Sequence, residues 1–375
     1  MKKLLLLLFV LLMGLNLTAC DNNAENEVKV NSKSDVELET IPKSLKKKLS
    51  ENVVIDAEID TPKKLPKTAG IIPAKIKSLE NKEKIKDILL GEEPIIINDK
   101  QTNKDREGKS IQEEYFRTES KKTLIWYGKL LTFSTPLSHD ISDAFNPQTD
   151  DKNYNSKDLS FENRDQAIHN TKKFLKTLGV EVSENVRLNA LDYKTMKEKQ
   201  IKNYNEMIKG AEGKEKDKIN PIRNWTQDDE CYFMRFKQEL NGICVSSGNG
   251  LGDAANKTET NGPIIDVYYG KQGYQSVFVG NIYEPTGNAT QNGTPIDLNK
   301  ALDIVKNKYD EVIMKRPITI TDIEFSYVPQ LKSANEENYI LTPAWLFNLA
   351  EYSDDIKDSI DKRLIINALT GEQME

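Results

Sequence analysis

Histidine and cysteine are scarce in this sequence, and both shortages limit the chemistry that the chain can perform. Among 375 residues there are 2 His and 3 Cys. So few imidazoles and thiols leave little material for a His-rich zinc site or a Ser-His-Asp triad. His139 and His169 stand without a nucleophile elbow or a paired histidine, so we expect exposed or structural side chains there. The sequence therefore predicts no enzyme, no metal site and no cofactor.

An excess of basic residues is also missing. The 53 Lys and Arg residues are outnumbered by 59 Asp and Glu residues, which gives a formal net charge of -6. This balance argues against a nucleic-acid partner, because such proteins carry a basic field. The mean hydropathy of -0.61 argues against a protein with many membrane spans. The length suggests about two domains.

Only the N-terminus contains a long apolar run. Two lysines precede residues 4–15, which are almost wholly apolar and too short for the roughly 20 residues that a membrane span needs. We interpret residues 1–19 as a secretory signal peptide. The following Leu-Thr-Ala-Cys, ending at Cys20, resembles the lipobox of bacterial lipoproteins. The resemblance implies lipidation of Cys20, and therefore a lipid anchor on the extracytoplasmic face of the cell membrane.

Composition and periodicity divide the rest of the chain into four parts. We predict a lipidated flexible tether, an N-terminal β-rich segment and two α+β units, at residues 20–70, 71–159, 160–290 and 291–375. Apolar spacing predicts helices that begin near Ala167, at residue 195 and after Asp297. Each unit consists of an amphipathic helix followed by antiparallel strands, so the predicted fold class is α+β. In the N-terminal segment, Ile95, Ile96 and Ile97 form a run that we expect to be buried, and residues 124–133 read as one strand.

An Asn241-Gly242 turn predicts a hairpin in the first unit. A two-residue turn would pair Leu240 with Ile243 and place Cys244 opposite Glu239. Cys231 would then lie roughly 26 Å along the strand, which is too far for a disulfide. We therefore expect two free, largely buried thiols.

Several segments of this chain resemble PepSY-like and YycI-like extracytoplasmic modules. They are the hairpin strands 236–245, the helix from Leu298, the strand 339–347 with its Pro-Ala-Trp sequence, and the closing Asn-Ala-Leu-Thr-Gly-Glu at 367–372. The chain as a whole is similar to lipoproteins of clostridial Gram-positive bacteria. The resemblance implies two PepSY-like repeats and a role in modulating proteases or membrane sensor kinases.

A binding site is expected on the strand that carries Tyr339, Pro343 and Trp345. Tyr339, Leu341, Trp345 and Phe347 fall at alternate positions and so share one face of the strand, which is typical of a core strand. Pro343 cannot donate a ladder hydrogen bond, so it predicts a sheet edge or a bulge. An open edge could accept a peptide as an added strand. We therefore predict a regulatory or binding module for an envelope protein or peptide.

Three further interpretations stay open or are disfavoured. A solute-binding lipoprotein of an ABC transporter is the alternative function, and it would show alternating β/α units. Residues 151–162, from Asp151 to Glu162, partly fit a calcium loop, although Ser156 replaces the turn glycine and a solvated loop is favoured. The glycine-rich residues 248–253 have the wrong spacing for a dinucleotide site.

Overall fold

Two nine-stranded, largely antiparallel sheets and five helices form the part of the chain described by this computed structural model. That part comprises residues 41–374, apart from 63, 105–107, 109, 148, 150–153, 155–156, 212–219, 249–261, 334–337 and 354–357. The helices are α1 (Lys82–Leu90), α2 (Pro136–Ala144), α3 (Arg164–Thr177), α4 (Tyr193–Gly210) and α5 (Leu298–Asp310). The predicted α+β class is confirmed.

The first sheet combines strands from both ends of the described chain. Its strands are β1 (Ser44–Lys48), β2 (Val53–Asp60), β3 (Ala69–Ile76), β13 (Tyr283–Pro285), β14 (Thr290–Gly293), β15 (Ile318–Ser333), β16 (Asn338–Ser353), β17 (Asp358–Asn367) and β18 (Gln373–Met374). They run in the order β1-β2-β15-β16-β17-β18, with β3 pairing β13, β14 and β16. The pairing of β2 with β15 is parallel. Helix α5 packs on this sheet through Ala301, Leu302 and Val305.

The second sheet is built from the intervening part of the chain. Its strands are β4 (Ile95–Lys104), β5 (Ser110–Thr118), β6 (Thr123–Tyr127), β7 (Leu130–Ser134), β8 (Val182–Leu191), β9 (Cys231–Leu240), β10 (Ile243–Cys244), β11 (Ile264–Gly270) and β12 (Gly273–Gly280). They run in the order β10-β9-β11-β12-β7-β6-β5-β4, and β8 pairs the other side of β9. Helices α1 and α3 pack on one face, and α2 and α4 cover part of the other.

Local sequence explains the helices that were predicted. Asp297 Oδ1 accepts a hydrogen bond from the Lys300 amide at 2.8 Å and so caps α5. Gly179 follows α3 with φ +73°, a conformation that glycine adopts without strain. The β9–β10 hairpin has the predicted register, with Ile243 opposite Leu240 and Cys244 opposite Glu239.

The structure corrects the predicted tether. Residues 44–60 form β1 and β2, and Val53, Ile55, Ala57 and Ile59 are buried in the first sheet's core. From Ile55 to Asp60, apolar and polar residues alternate, which is a strand signal that the polar composition of the surrounding sequence concealed. The tether prediction therefore extends too far along the chain.

The strands are also grouped into sheets differently from the predicted segments. Strand β3 pairs β13, and the Lys77 amide donates to the Ile282 carbonyl at 2.6 Å, so the chain leaves the first sheet and returns to it at neighbouring points. The β-rich segment is thus shared between the two sheets. Helices α1 and α2 were not predicted, and residues 124–133 form the β6–β7 hairpin instead of one strand.

Among the described residues, no helix is both long enough and apolar enough to cross a membrane.

Candidate functional site

The strand predicted to be an open edge lies inside the first sheet. Strand β16 pairs β15 along one side, and β3 and then β17 along the other. Trp345 is fully buried, and its Nε1 donates to the Ile296 carbonyl at 2.9 Å. Tyr339 is half-buried, with its ring 5.2 Å from that of Tyr283. The predicted edge is therefore wrong, while the core interpretation of this strand is confirmed.

Pro343 is tolerated in a central strand because of where it falls. The pairing of β16 with β3 ends at Leu341, and its pairing with β17 begins at Ala344. Pro343 therefore occupies the gap between two neighbours, where its missing N–H breaks no ladder bond. Its carbonyl accepts a hydrogen bond from the Ala368 amide at 2.9 Å.

An open edge does exist, at β4 in the second sheet. Among the described residues, β4 pairs with β5 only and ends the strand order. The side chains of Ile95, Ile96 and Ile97 are 40%, 56% and 40% exposed. Proteins usually protect edges with short strands and lysines. Strand β1 fits that pattern, since it has five residues and ends in three lysines, whereas β4 is ten residues long and begins with three exposed isoleucines.

Hydrogen bonding around β5 shows which β4 backbone groups point outward. The Thr118 amide donates to Lys122 and the Gly128 amide to Gln112, so even-numbered β5 residues face β6. Odd-numbered β5 residues consequently face β4 and bond to their partners there, which are Ile97, Asp99, Gln101 and Asn103. The alternating residues Asn98, Lys100 and Thr102 direct their N–H and C=O groups away from the sheet. These three residues form the bonding edge that an added strand would use.

A β-bulge at the start of β4 places Ile95 and Ile97 on opposite faces of the sheet. Ile95 lies opposite Thr118 and Ile97 opposite Arg117, which leaves Ile96 as the extra residue. Thr118 and Arg117 are consecutive, so Ile95 and Ile97 belong to opposite faces of the sheet. An incoming strand would thus meet apolar surface on both faces.

The sheet face that carries Ile97 continues as an incompletely covered surface. Phe278, Thr132, Ile125, Tyr115 and Asp99 lie opposite one another in a row across β12, β7, β6, β5 and β4. The first four are half-buried and Asp99 is exposed. Their neighbours on the other face, such as Phe133 and Val277, are fully buried beneath α1 and α3. Beside the β4 edge, the sheet therefore presents half-buried aromatic and aliphatic side chains.

Charges on the α1 side hold the edge in place. Glu114 of β5 accepts ion pairs from Lys100 at 2.9 Å and from Lys82 of α1 at 3.2 Å. Lys82 also lies over the Trp126 ring, 5.1 Å from its centroid. The hydrogen bond from Lys100 lowers the pKa of Glu114, with Lys82 adding to the effect. Lys100 thus combines an outward-facing backbone with a side chain tied to the sheet.

The predicted burial of Ile95, Ile96 and Ile97 is wrong. The run of three isoleucines resembles a buried strand, but the seven residues that follow, Asn98–Lys104, are all polar. A buried strand would continue its apolar alternation on at least one face. The polar continuation was therefore the available signal for an edge.

Other predicted residues lie apart from this edge. His139 and His169 are exposed. Cys231 and Cys244 are free, as predicted, and burial raises the pKa of the Cys244 thiol to about 11. Cys20 lies outside the described residues, as do residues 151–153, 155 and 156 of the possible calcium loop and residues 249–253 of the glycine-rich stretch. Within the described residues, no group of three or more His, Cys, Asp or Glu could hold a metal ion.

A cluster of charges joins the two sheets at a second location. Lys237 of β9 pairs with Asp60 of β2 at 2.7 Å and with Glu324 of β15 at 3.1 Å. Burial alone would lower the pKa of Lys237, but the two carboxylates outweigh it and raise that pKa. Burial likewise opposes ionisation of Glu324, yet Lys237, Ser326 and Arg363 lower its pKa. The cluster is an ionised contact between sheets, and its side chains pair with one another.

Comparisons with known proteins support the fold alone. No protein-family model and no curated protein matches the chain. The fold is similar to the crystal structure of an uncharacterized protein from Eubacterium rectale, with a TM-score of 0.67 and 16% sequence identity, over 89% of this chain and 94% of that one. The Bacillus megaterium YpeB C-terminal domain aligns with a TM-score of 0.29 and 8% identity, over 80% of this chain and 97% of that domain.

Proposed function

We propose that this chain is a lipid-anchored, extracytoplasmic binding module that receives an extended segment of an envelope protein or peptide along β4. The role is one of binding and regulation, without catalysis. Cys20 carries the anchor, and the second sheet supplies the recognition surface. The PepSY-like sequence features agree with a regulatory module of this kind.

The observation that carries the proposal is the β4 edge. Asn98, Lys100 and Thr102 supply outward main-chain donors and acceptors, and exposed isoleucines begin the same strand. Strand addition takes its affinity from main-chain hydrogen bonds and its specificity from pockets for alternate side chains. Here the Ile97 face offers Tyr115 and Arg117 beside the edge. The favoured partner is therefore an extended segment with apolar or aromatic side chains at alternate positions.

A pair of variants at Lys100 tests strand addition. In Lys100→Pro the outward N–H is lost, while the bonds from Asp99 and Gln101 to β5 stay. Lys100→Gln loses the same ion pair with Glu114 but keeps the N–H, so it is the matched control. Both variants and the wild type would be measured against extended peptides selected on the purified wild-type protein. We expect Lys100→Pro to weaken binding about tenfold or more, as expected for loss of one main-chain bond plus the clash of the ring.

Equal affinities for the proline and glutamine variants would contradict strand addition at β4. Peptides that bind both variants as well as the wild type would point to the open sheet face instead. Circular dichroism of each variant confirms that the sheet is intact before affinities are compared.

The anchor has a separate test in cells. Cys20→Ala removes the thiol that would receive the lipid, and we expect the protein to move from the membrane fraction to the soluble extracytoplasmic fraction. Cys244→Ala is the control, because it removes a thiol in the folded part of the chain. Membrane association that persists in Cys20→Ala would contradict lipid anchoring.

A further inference from the structure

One half-buried arginine beside the β4 edge has no partner among the described residues. The Arg117 guanidinium makes no ion pair, hydrogen bond or ring contact within that part of the chain. Every other arginine of the described residues has such a contact; they are Arg164, Arg187, Arg223, Arg235, Arg316 and Arg363. The N–H donors of Arg117 are therefore available to an acceptor from outside the chain.

The register of β4, β5 and β6 places Arg117 on the incompletely covered face of the second sheet. It lies between Ile97 of β4 on one side and Thr123 of β6 on the other. Tyr115, two residues earlier on β5, shares that face and is half-buried. Arg117 is therefore one strand away from the edge at which a partner strand would add, among apolar and hydroxyl-bearing side chains.

Nearby carboxylates leave this cation unpaired. On the face that carries Arg117, the acids of β4 and β5 are Asp99 and Glu113. Asp99 lies opposite Tyr115, one row from Arg117, and Glu113 lies one row further. Glu119, in the turn that follows β5, is exposed. Within the described chain none of these acids pairs with Arg117, so Asp99 and Arg117 are unpaired charges of opposite sign in adjacent rows.

Strand addition at β4 would change the surroundings of Arg117. Neighbouring strands lie about 4.8 Å apart, so a residue of the added strand opposite Ile97 would be about 10 Å from the Arg117 backbone. Its side chain would point to the same face as that of Arg117. The added strand also displaces water, and a guanidinium that loses water without gaining an acceptor opposes binding. A carboxylate at that position supplies the acceptor, in the bidentate geometry that suits a guanidinium.

We propose that the segment added to β4 has an aspartate or glutamate opposite Ile97 and that Arg117 binds its carboxylate, an inference that rests on the proposed function. Asp99 fixes the position of this acid along the strand, because a carboxylate two residues away would lie opposite Asp99 and be repelled. The partner is thus an extended segment of an envelope polypeptide with one acidic side chain among its apolar ones.

A double-mutant cycle between the protein and a peptide tests this contact. The peptides are selected on the purified wild-type protein and synthesised with an amidated C-terminus, so any carboxylate that contributes belongs to a side chain. Arg117→Gln should weaken binding about tenfold, and replacing the peptide's acid by its amide should do the same, with no further loss when both changes are combined. Because Arg117 has no partner in the free protein, its unfolding temperature should stay unchanged. Lys176→Gln, which removes an exposed cation on α3, is the control and should leave the affinity unchanged.

The same peptides test the position of the acid. Moving it two residues along the peptide, so that it lies opposite Asp99, should weaken binding about as much as removing it. Equal affinity of the original and the shifted peptide would overturn the proposed register.

The results that contradict the inference differ from those that contradict the proposed function. Selected peptides without an acid at a fixed position, or peptides whose binding falls in Lys100→Pro but not in Arg117→Gln, would refute the arginine contact and leave strand addition intact. Peptides that bind Lys100→Pro as well as the wild type would contradict strand addition, and the inference with it. An effect of Arg117→Gln only on peptides with a free C-terminus would assign the contact to a terminal carboxylate and refute the acidic side chain.

Discussion

The contact between the two sheets should depend on one carboxylate. Glu324 is 18% exposed and Lys237 22% exposed, and they lie 3.1 Å apart. Glu324→Gln keeps the side-chain shape but removes the charge that faces Lys237 and Arg363. Breaking a buried ion pair from one side typically costs about 3–5 kcal/mol. Because Asp60 stays 2.7 Å from Lys237, we expect a smaller loss here, about 2 kcal/mol.

Guanidinium unfolding measured across pH tests both the size and the origin of this effect. The pKa of Glu324 is lowered in the folded protein, so its contribution is full above the unfolded pKa of about 4.3. That contribution disappears as the pH falls through the lower folded pKa. The difference in unfolding free energy between wild type and Glu324→Gln should therefore be largest near neutral pH and shrink in acid.

An exposed ion pair provides the control. Lys46 and Asp56 are 79% and 56% exposed and lie 2.7 Å apart. Asp56→Asn should change the free energy of unfolding by less than about 1 kcal/mol. A Glu324→Gln variant that behaved like this control at neutral pH, or whose effect did not depend on pH, would show that the charge of Glu324 does not stabilise the contact between the sheets.

Three more predictions concern the cores and the thiols. Gln238→Ala leaves both backbone groups that it holds on β13 unsatisfied, at 2.5 and 2.9 Å, and should lower the free energy of unfolding by about 2–4 kcal/mol in denaturant titrations. Trp345→Phe loses a buried hydrogen bond and ring volume, and should cost about 2 kcal/mol without changing peptide affinity; lost affinity at native stability would restore Trp345 as a binding residue. Cys244, with its pKa of about 11, and Cys231 should react with thiol reagents at pH 8 only after unfolding, and rapid labelling of the native protein would contradict their burial.

Local sequence patterns were sufficient to predict the elements that have clear capping or turn residues. Helix α5 has an N-cap aspartate and a regular apolar face, and the β9–β10 hairpin has an Asn-Gly turn, so each could be placed to within a few residues. Strands β1 and β2 were missed because a short apolar alternation lies in a strongly polar stretch. The polar composition that suggested a tether thus concealed the two strands at one end of the first sheet.

Strand neighbours could not be predicted from the same patterns. Pro343 suggested an edge, yet β16 lies between β15 on one side and β3 and β17 on the other. Of these, β3 is distant in sequence, and the proline falls in the gap between β3 and β17. The isoleucines of β4 suggested burial, yet among the described residues β4 pairs with β5 alone and has no second neighbour. Both errors concern pairing between distant segments, which depends on the whole topology and not on the local pattern.

Crosslinking in living cells from the β4 edge can show whether a partner polypeptide adds to β4 as a strand. A photoreactive residue at Asn98, where the backbone faces outward, should form a defined adduct with an envelope polypeptide. The adduct should fall about tenfold when Lys100→Pro is added and persist when Lys100→Gln is added. An adduct of equal yield in both backgrounds, or one formed equally from the control position Lys176, would contradict strand addition at β4.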